Sequence, residues 1–153
     1  MNRILVLVLC LVSSPISAET GTTDIASSKR LASELQVCNA YFMNVSFCFA
    51  DKSLSRKLSS KAAKELSHIY TEQGGRAGKN AYEIGQVIGM PAADLTAIFT
   101  RTLTGMQDEI AGDCTKIETL IDRYASACKQ LVENPGLRLK KLSECTNEGK
   151  VGC

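Results

Sequence analysis

Two apolar stripes at helical spacing, each carrying two cysteines, constrain this chain more than any other feature of its sequence. In the first, Leu31, Leu35, Cys38, Phe42, Val45 and Phe49 recur at steps of three and four, as one buried face of an amphipathic helix requires. The second is longer and runs from Leu95 through Phe99, Leu103, Met106, Ile110, Cys114, Ile117, Ile121, Tyr124 and Cys128 to Leu131. Unbroken, it would form a helix roughly 60 Å long, more than a compact domain of this size can cover. Gly112-Asp113 is the best place for a break, since glycine can end one helix and aspartate can cap the next; Gly105 is second.

Helix geometry prunes the fifteen ways of pairing six cysteines. On a straight helix Cys38 and Cys48 stand about 15 Å apart and Cys114 and Cys128 about 20 Å, while a disulfide needs Cα atoms within about 7 Å. Neither pair can close on itself, so the two stripes are expected to be cross-linked. If they run antiparallel, Cys48 meets Cys114 and Cys38 meets Cys128. Those spacings differ by about 6 Å of helix, so one end must bend or fray. Cys145 and Cys153 are then left to each other; the rival is that Cys145 returns to Cys38 or Cys48.

The compartment follows from the first residues. Met1-Asn2-Arg3 is basic, Ile4 to Val12 is apolar, and Ser13-Ser14-Pro15-Ile16-Ser17-Ala18 ends small, the order of a cleavable signal peptide over 1–18. The apolar run is short for a membrane span, which needs about 20 residues. A lipoprotein signal places a small residue before its acylated cysteine, and Leu9 precedes Cys10, so Cys10 is expected to leave with the peptide. Export puts the remaining cysteines where thiols oxidise. The chain is then secreted or periplasmic, with mature residues 19–153.

Between the stripes, Leu54, Leu58, Ala62, Leu66 and Ile69 predict a second helix, capped by Asp51 or Ser53 and ending at Gln73-Gly74-Gly75. A short helix is expected within 75–89, and Pro91 suits a first helical position with Asp94 one turn in. Residues 19–28, rich in Thr and Ser, are expected to form a loose arm. The long stripe stops at Asn134-Pro135-Gly136, Leu137 to Leu142 form a last turn or short helix, and 146–153 is a tail held by its cysteines. Tryptophan is absent and only three prolines occur, which favours helices over a sandwich or barrel. The fold expected is an all-α, single-domain bundle of four to five helices stapled by disulfides.

Catalytic signals are thin. Close Cys-x-x-Cys pairs are missing, so neither zinc-ribbon nor thioredoxin spacing is met, and no metal or cofactor is expected. His68, the one histidine, lacks a legible nucleophile or water partner and reads as a solvent-facing or packed side chain. Gly74-Gly75-Arg76-Ala77-Gly78-Lys79 fails as a phosphate loop: Gln73 stands for the first glycine, Asn80 for Ser or Thr, and no strand precedes it. It reads as a flexible turn. Glu65 with Glu72, and Asp108 and Glu109 with Asp113, are the carboxylates expected on any exposed helix face. Asn44-Val45-Ser46 is a glycosylation sequon in a eukaryote, though on a packed helix.

One local feature remains. Lys52, Arg56, Lys57, Lys61 and Lys64 crowd the second helix opposite its apolar stripe, while formal net charge over the whole chain is only +2. Such a face can meet an acidic protein or an anionic membrane surface, or simply be solvated. The balanced charge gives no reason to expect a nucleic-acid partner. No motif matches a family pattern; the layout resembles, at the level of architecture alone, small periplasmic helical immunity and inhibitor proteins of bacteria. The expected function is non-catalytic protein–protein binding of the inhibitor, immunity or envelope-accessory type. The alternative is a carrier of a small apolar ligand or lipid in a bundle cavity. A pocket of several hundred Å³ marks a carrier and an exposed apolar or charged patch marks a binder.

Overall fold

The computed structural model describes residues 19–51 and 58–147. They form an all-helical bundle in the order α1 (Glu19–Ala50), α2 (Ser60–Val87), α3 (Ala92–Glu109), a single 3₁₀ turn (Cys114–Lys116), α4 (Glu118–Glu133) and α5 (Pro135–Asn147). No strand occurs among the described residues. None of the described helices is long and apolar enough to cross a membrane.

α1 is the axis on which every other helix packs. Its stripe is buried as expected: Leu31, Leu35, Cys38, Phe42 and Val45 are almost wholly covered. The expected loose arm is instead the first turns of α1, which begins at Glu19. Ser27 is buried, so the register continues upstream of Leu31 and helix propagation outweighs the modest propensities of Thr and Ser.

α2 departs furthest from expectation. It starts at Ser60, where the Ser59 hydroxyl accepts a hydrogen bond from the Ala62 amide; of the expected caps, Asp51 instead follows the end of α1, its amide donating to Phe47 O and Cys48 O, and Ser53 lies outside the described residues. It also runs straight through Gln73-Gly74-Gly75 to Val87, so neither the expected end nor the flexible turn at 74–79 is present. Packing explains this. Gly74, Ala77, Gly78 and Ala81 form a small-residue stripe buried against α1. A Cβ at Gly78 would lie 2.7 Å from the Asn39 amide nitrogen, and one at Gly74 would lie 3.2 Å from the Met43 sulfur. Glycine serves here for close approach of two helices, which local sequence cannot distinguish from a turn. Farther along the seam the Ser46 hydroxyl donates to Ser67 O at 2.9 Å and lies 2.7 Å from the Thr71 hydroxyl.

The long second stripe breaks where expected. α3 ends at Glu109, Ala111 and Gly112 take left-handed backbone angles (φ 51° and 66°), and the Asp113 carboxylate accepts from the Thr115 amide and hydroxyl to cap the 3₁₀ turn. Pro91 sits one place earlier than expected, as the N-cap of α3. α5 begins at Pro135 and extends through Asn147, longer than the expected turn, and Leu142 anchors it in the core. Of the expected tail, Thr146 and Asn147 end α5, and residues from 148 lie outside the described set.

Tyr41, fully buried, centres an aromatic cluster with Phe42, Tyr70 and Tyr124. Burial, with the Tyr70 phenol second, holds its hydroxyl well above the ordinary phenol range, and Tyr70 does not reach hydrogen-bond geometry with it. The Gln36 amide nitrogen is likewise buried without a partner. Each such group costs about 1–3 kcal/mol, so the core around α1 offsets a polar penalty with its apolar packing.

Candidate functional site

A sizeable concavity lies beside one of two disulfides that cross-link the bundle. Cys38 joins Cys128 with Cα atoms 5.2 Å apart, and Cys48 joins Cys114 at 5.1 Å, the antiparallel pairing that helix geometry selects. The mismatch between the two spacings is absorbed because Cys114 lies on the 3₁₀ turn ahead of α4 rather than on α4 itself. Cys145 is also disulfide-bonded; its expected pairing with Cys153 lies outside the described residues. Two buried cross-links are the mark of an oxidising, extracellular type of compartment.

Beside Cys38–Cys128 a cleft of about 440 Å³ opens between α1, α4 and α5. Its lining is mixed: Val37 and Cys38 from α1, Ala127, Cys128 and Leu131 from α4, and Leu137 from α5 are apolar, while Tyr124, Gln130 and Asn134 add polar groups. Leu137 is 57% exposed and adds open apolar surface to the cleft. The rim is polar. Arg138 donates from Nε and Nη2 to the two oxygens of Glu34 at 2.8 and 2.7 Å, a bidentate pair that ties α5 to α1. Arg30 adds a third contact to Glu34 at 3.1 Å. Burial pushes the Glu34 carboxyl up, but the hydrogen bonds and charges of Arg138 and Arg30 outweigh it and hold the group below the ordinary carboxylate range. Lys141, one turn beyond Leu137, also lines the cleft and has no ion-pair partner among the described residues.

A second recess, about 190 Å³ beside Cys48–Cys114, is small for a ligand site and is bordered by the exposed Phe47. The other residues weighed from sequence do not converge. His68 is exposed and lies 3.8 Å from Glu72 on its own helix. Glu109 pairs with Arg123 at 2.7 Å, joining α3 to α4. No group of three or more His, Cys, Asp or Glu is placed to hold a metal among the described residues. Asn44, in the sequon, is 2% exposed and donates to the carbonyls of Ala40 and Leu103, so it cannot accept a glycan in the folded protein.

Of the basic face, Lys52, Arg56 and Lys57 lie outside the described residues. Lys61 and Lys64 are exposed on the first turns of α2; Lys61 approaches Glu65 at 3.9 Å and Lys64 has no partner among the described residues. The cleft was missed from sequence because one of its sides is built by α5, whose Leu137-Arg138-Leu139-Lys140-Lys141 run carries too little apolar periodicity to show what it faces. No family model, curated protein or solved structure matches the chain.

Proposed function

We propose that this chain is an exported, non-catalytic binding protein whose ligand seat is the cleft between α1, α4 and α5. The observation that carries this reading is the cleft itself: about 440 Å³, within the roughly 300–1,000 Å³ range of small-molecule sites, and lined by apolar and polar side chains together. The carrier class therefore gains more support from the geometry than the protein-binding class does. The amino-terminal signal, with cleavage after Ala18, would deliver the chain to the periplasm or medium, where the buried disulfides would form.

Native mass spectrometry of protein isolated gently from its own source tests the reading. The expected result is a bound small molecule, lost on denaturation and missing from a folded Leu137→Asp variant. Ligand-free protein throughout would count against the cleft as a seat. The same spectra test the export step, since the expected mass begins at Glu19.

A second reading keeps a specific support. The exposed Lys61 and Lys64 belong to the Lys52, Arg56, Lys57, Lys61, Lys64 face, which suits an acidic protein partner of the inhibitor, immunity or envelope-accessory kind; an anionic membrane surface is the weaker choice. Changing Arg56, Lys57 and Lys61 to Glu would then slow association and reduce its salt dependence while leaving ligand content unchanged. A partner bound equally well by the folded triple variant would remove this face from consideration.

A further inference from the structure

We infer that the cleft takes a single-chain amphipathic anion, a fatty carboxylate in chemical class, with its chain along Leu131 and Leu137 and its headgroup at Lys141. This rests on the reading of the cleft as a ligand seat and adds the sign and the shape of what it holds.

The shape follows from where apolar and polar groups lie. Val37, Leu131 and Leu137 give the lining an apolar stretch beside the polar Gln130 and Asn134, and along that stretch an alkyl chain needs no hydrogen bond. An alkyl chain loses nothing there and covers the exposed Leu137. The volume encloses one such molecule, whereas a stable protein interface buries about 800 Å² on each partner, a surface rather than a cleft.

The sign follows from which charges are already compensated. Glu34 is the acid lining the cleft, and both its oxygens accept from guanidinium groups of Arg30 and Arg138. A cationic headgroup would have to displace one of them. Lys141 is the opposite case, a cation at the mouth with no counter-ion among the described residues. Because Leu137 and Lys141 are four residues apart on α5, they share one helix face, which sets an apolar contact and a positive charge one turn apart along the same wall. A carboxylate at Lys141 with its chain reaching back over Leu137 satisfies both. The headgroup stays near solvent, so its charge selects the ligand while the chain supplies most of the affinity.

The test uses the folded mature protein and a dansyl-labelled undecanoate as fluorescent probe, with laurate, dodecanol and dodecyltrimethylammonium as competitors below their micelle concentrations. Laurate is expected to displace the probe at about one tenth the concentration that dodecyltrimethylammonium requires, the ratio a single uncompensated charge near solvent can give. Lys141→Glu should erase or reverse that ratio, and Leu137→Asp should remove probe binding. Ile69→Asp, at an exposed apolar residue on α2 that does not line the cleft, should leave binding unchanged. Equal displacement by all three competitors, with Lys141→Glu silent, would overturn the anion assignment and leave the cleft as a seat for apolar chains. No probe binding by the wild-type protein would overturn the inference and the ligand seat together.

Discussion

α1 is held on its two flanks by different physics. Against α2 it meets a stripe of Gly74, Ala77, Gly78 and Ala81, where a Cβ at Gly74 or Gly78 would press on the Asn39 and Met43 side chains. Against α4 and α5 the contact is sparser; α1 is tied to α4 by Cys38–Cys128, to the 3₁₀ turn ahead of it by Cys48–Cys114 and to α5 by the Glu34–Arg138 pair, and a cleft lies between them. Close packing and an open cleft cannot occupy the same seam. The flank that keeps a cavity must take its stability from links that do not need the space filled, and covalent bonds and a bidentate ion pair are such links.

The sharpest way to break this comparison is to remove the bond at the cleft floor. Replacing Cys38 and Cys128 together by Ala is expected to cost about 2–5 kcal/mol in a denaturant melt, because the link closes a long loop in the unfolded chain. On the packed flank, Gly78→Leu should cost about 1–3 kcal/mol by overpacking the seam against the Asn39 side chain. If the cysteine pair proved no more costly than Gly78→Leu, the disulfide flank would have to be packed well enough to stand by itself.

The disulfide pairing and the break at Gly112-Asp113 were legible in the sequence because both follow from rigid helix geometry: rise per residue fixes which cysteines can meet, and a stripe too long for the domain must break. The course of α2 was not legible. A Gly-Gly step reads locally as a stop, and only the presence of Asn39 and Met43 on the opposing helix shows why the helix continues. The loose arm was misjudged for a related reason, since the burial of Ser27 depends on what packs around it. The cleft was the least legible feature, being a space between elements rather than a pattern within one.

Smaller effects sharpen the comparison. Glu34→Gln should cost about 0.5–1 kcal/mol at neutral pH, discounted for the partial exposure of the pair. The folded Glu34 carboxyl titrates below its ordinary value, so its stabilisation is present above that value and is lost as pH falls through the folded one. Acid melts of the wild type should therefore converge on those of Glu34→Gln, and curves that stay parallel would mean that the pair is energetically idle. The smallest expected change is a gain. Gly75 is exposed on α2 with nothing near its missing side chain, so Gly75→Ala should raise stability by about 0.5–1 kcal/mol, whereas alanine at its neighbours on the buried stripe meets α1.

The antiparallel pairing also fixes what a protease can do to the chain. Cys48 and Cys114 close a covalent ring that contains all of α2 and α3, and Cys38–Cys128 closes a wider ring around it. A single cut anywhere between Cys48 and Cys114 therefore opens the inner ring without releasing a fragment, and the nicked protein travels as one species until a reductant is added. For a chain working among extracellular proteases, damage to the α2–α3 side leaves α1 and α4 still joined on either side of the cleft.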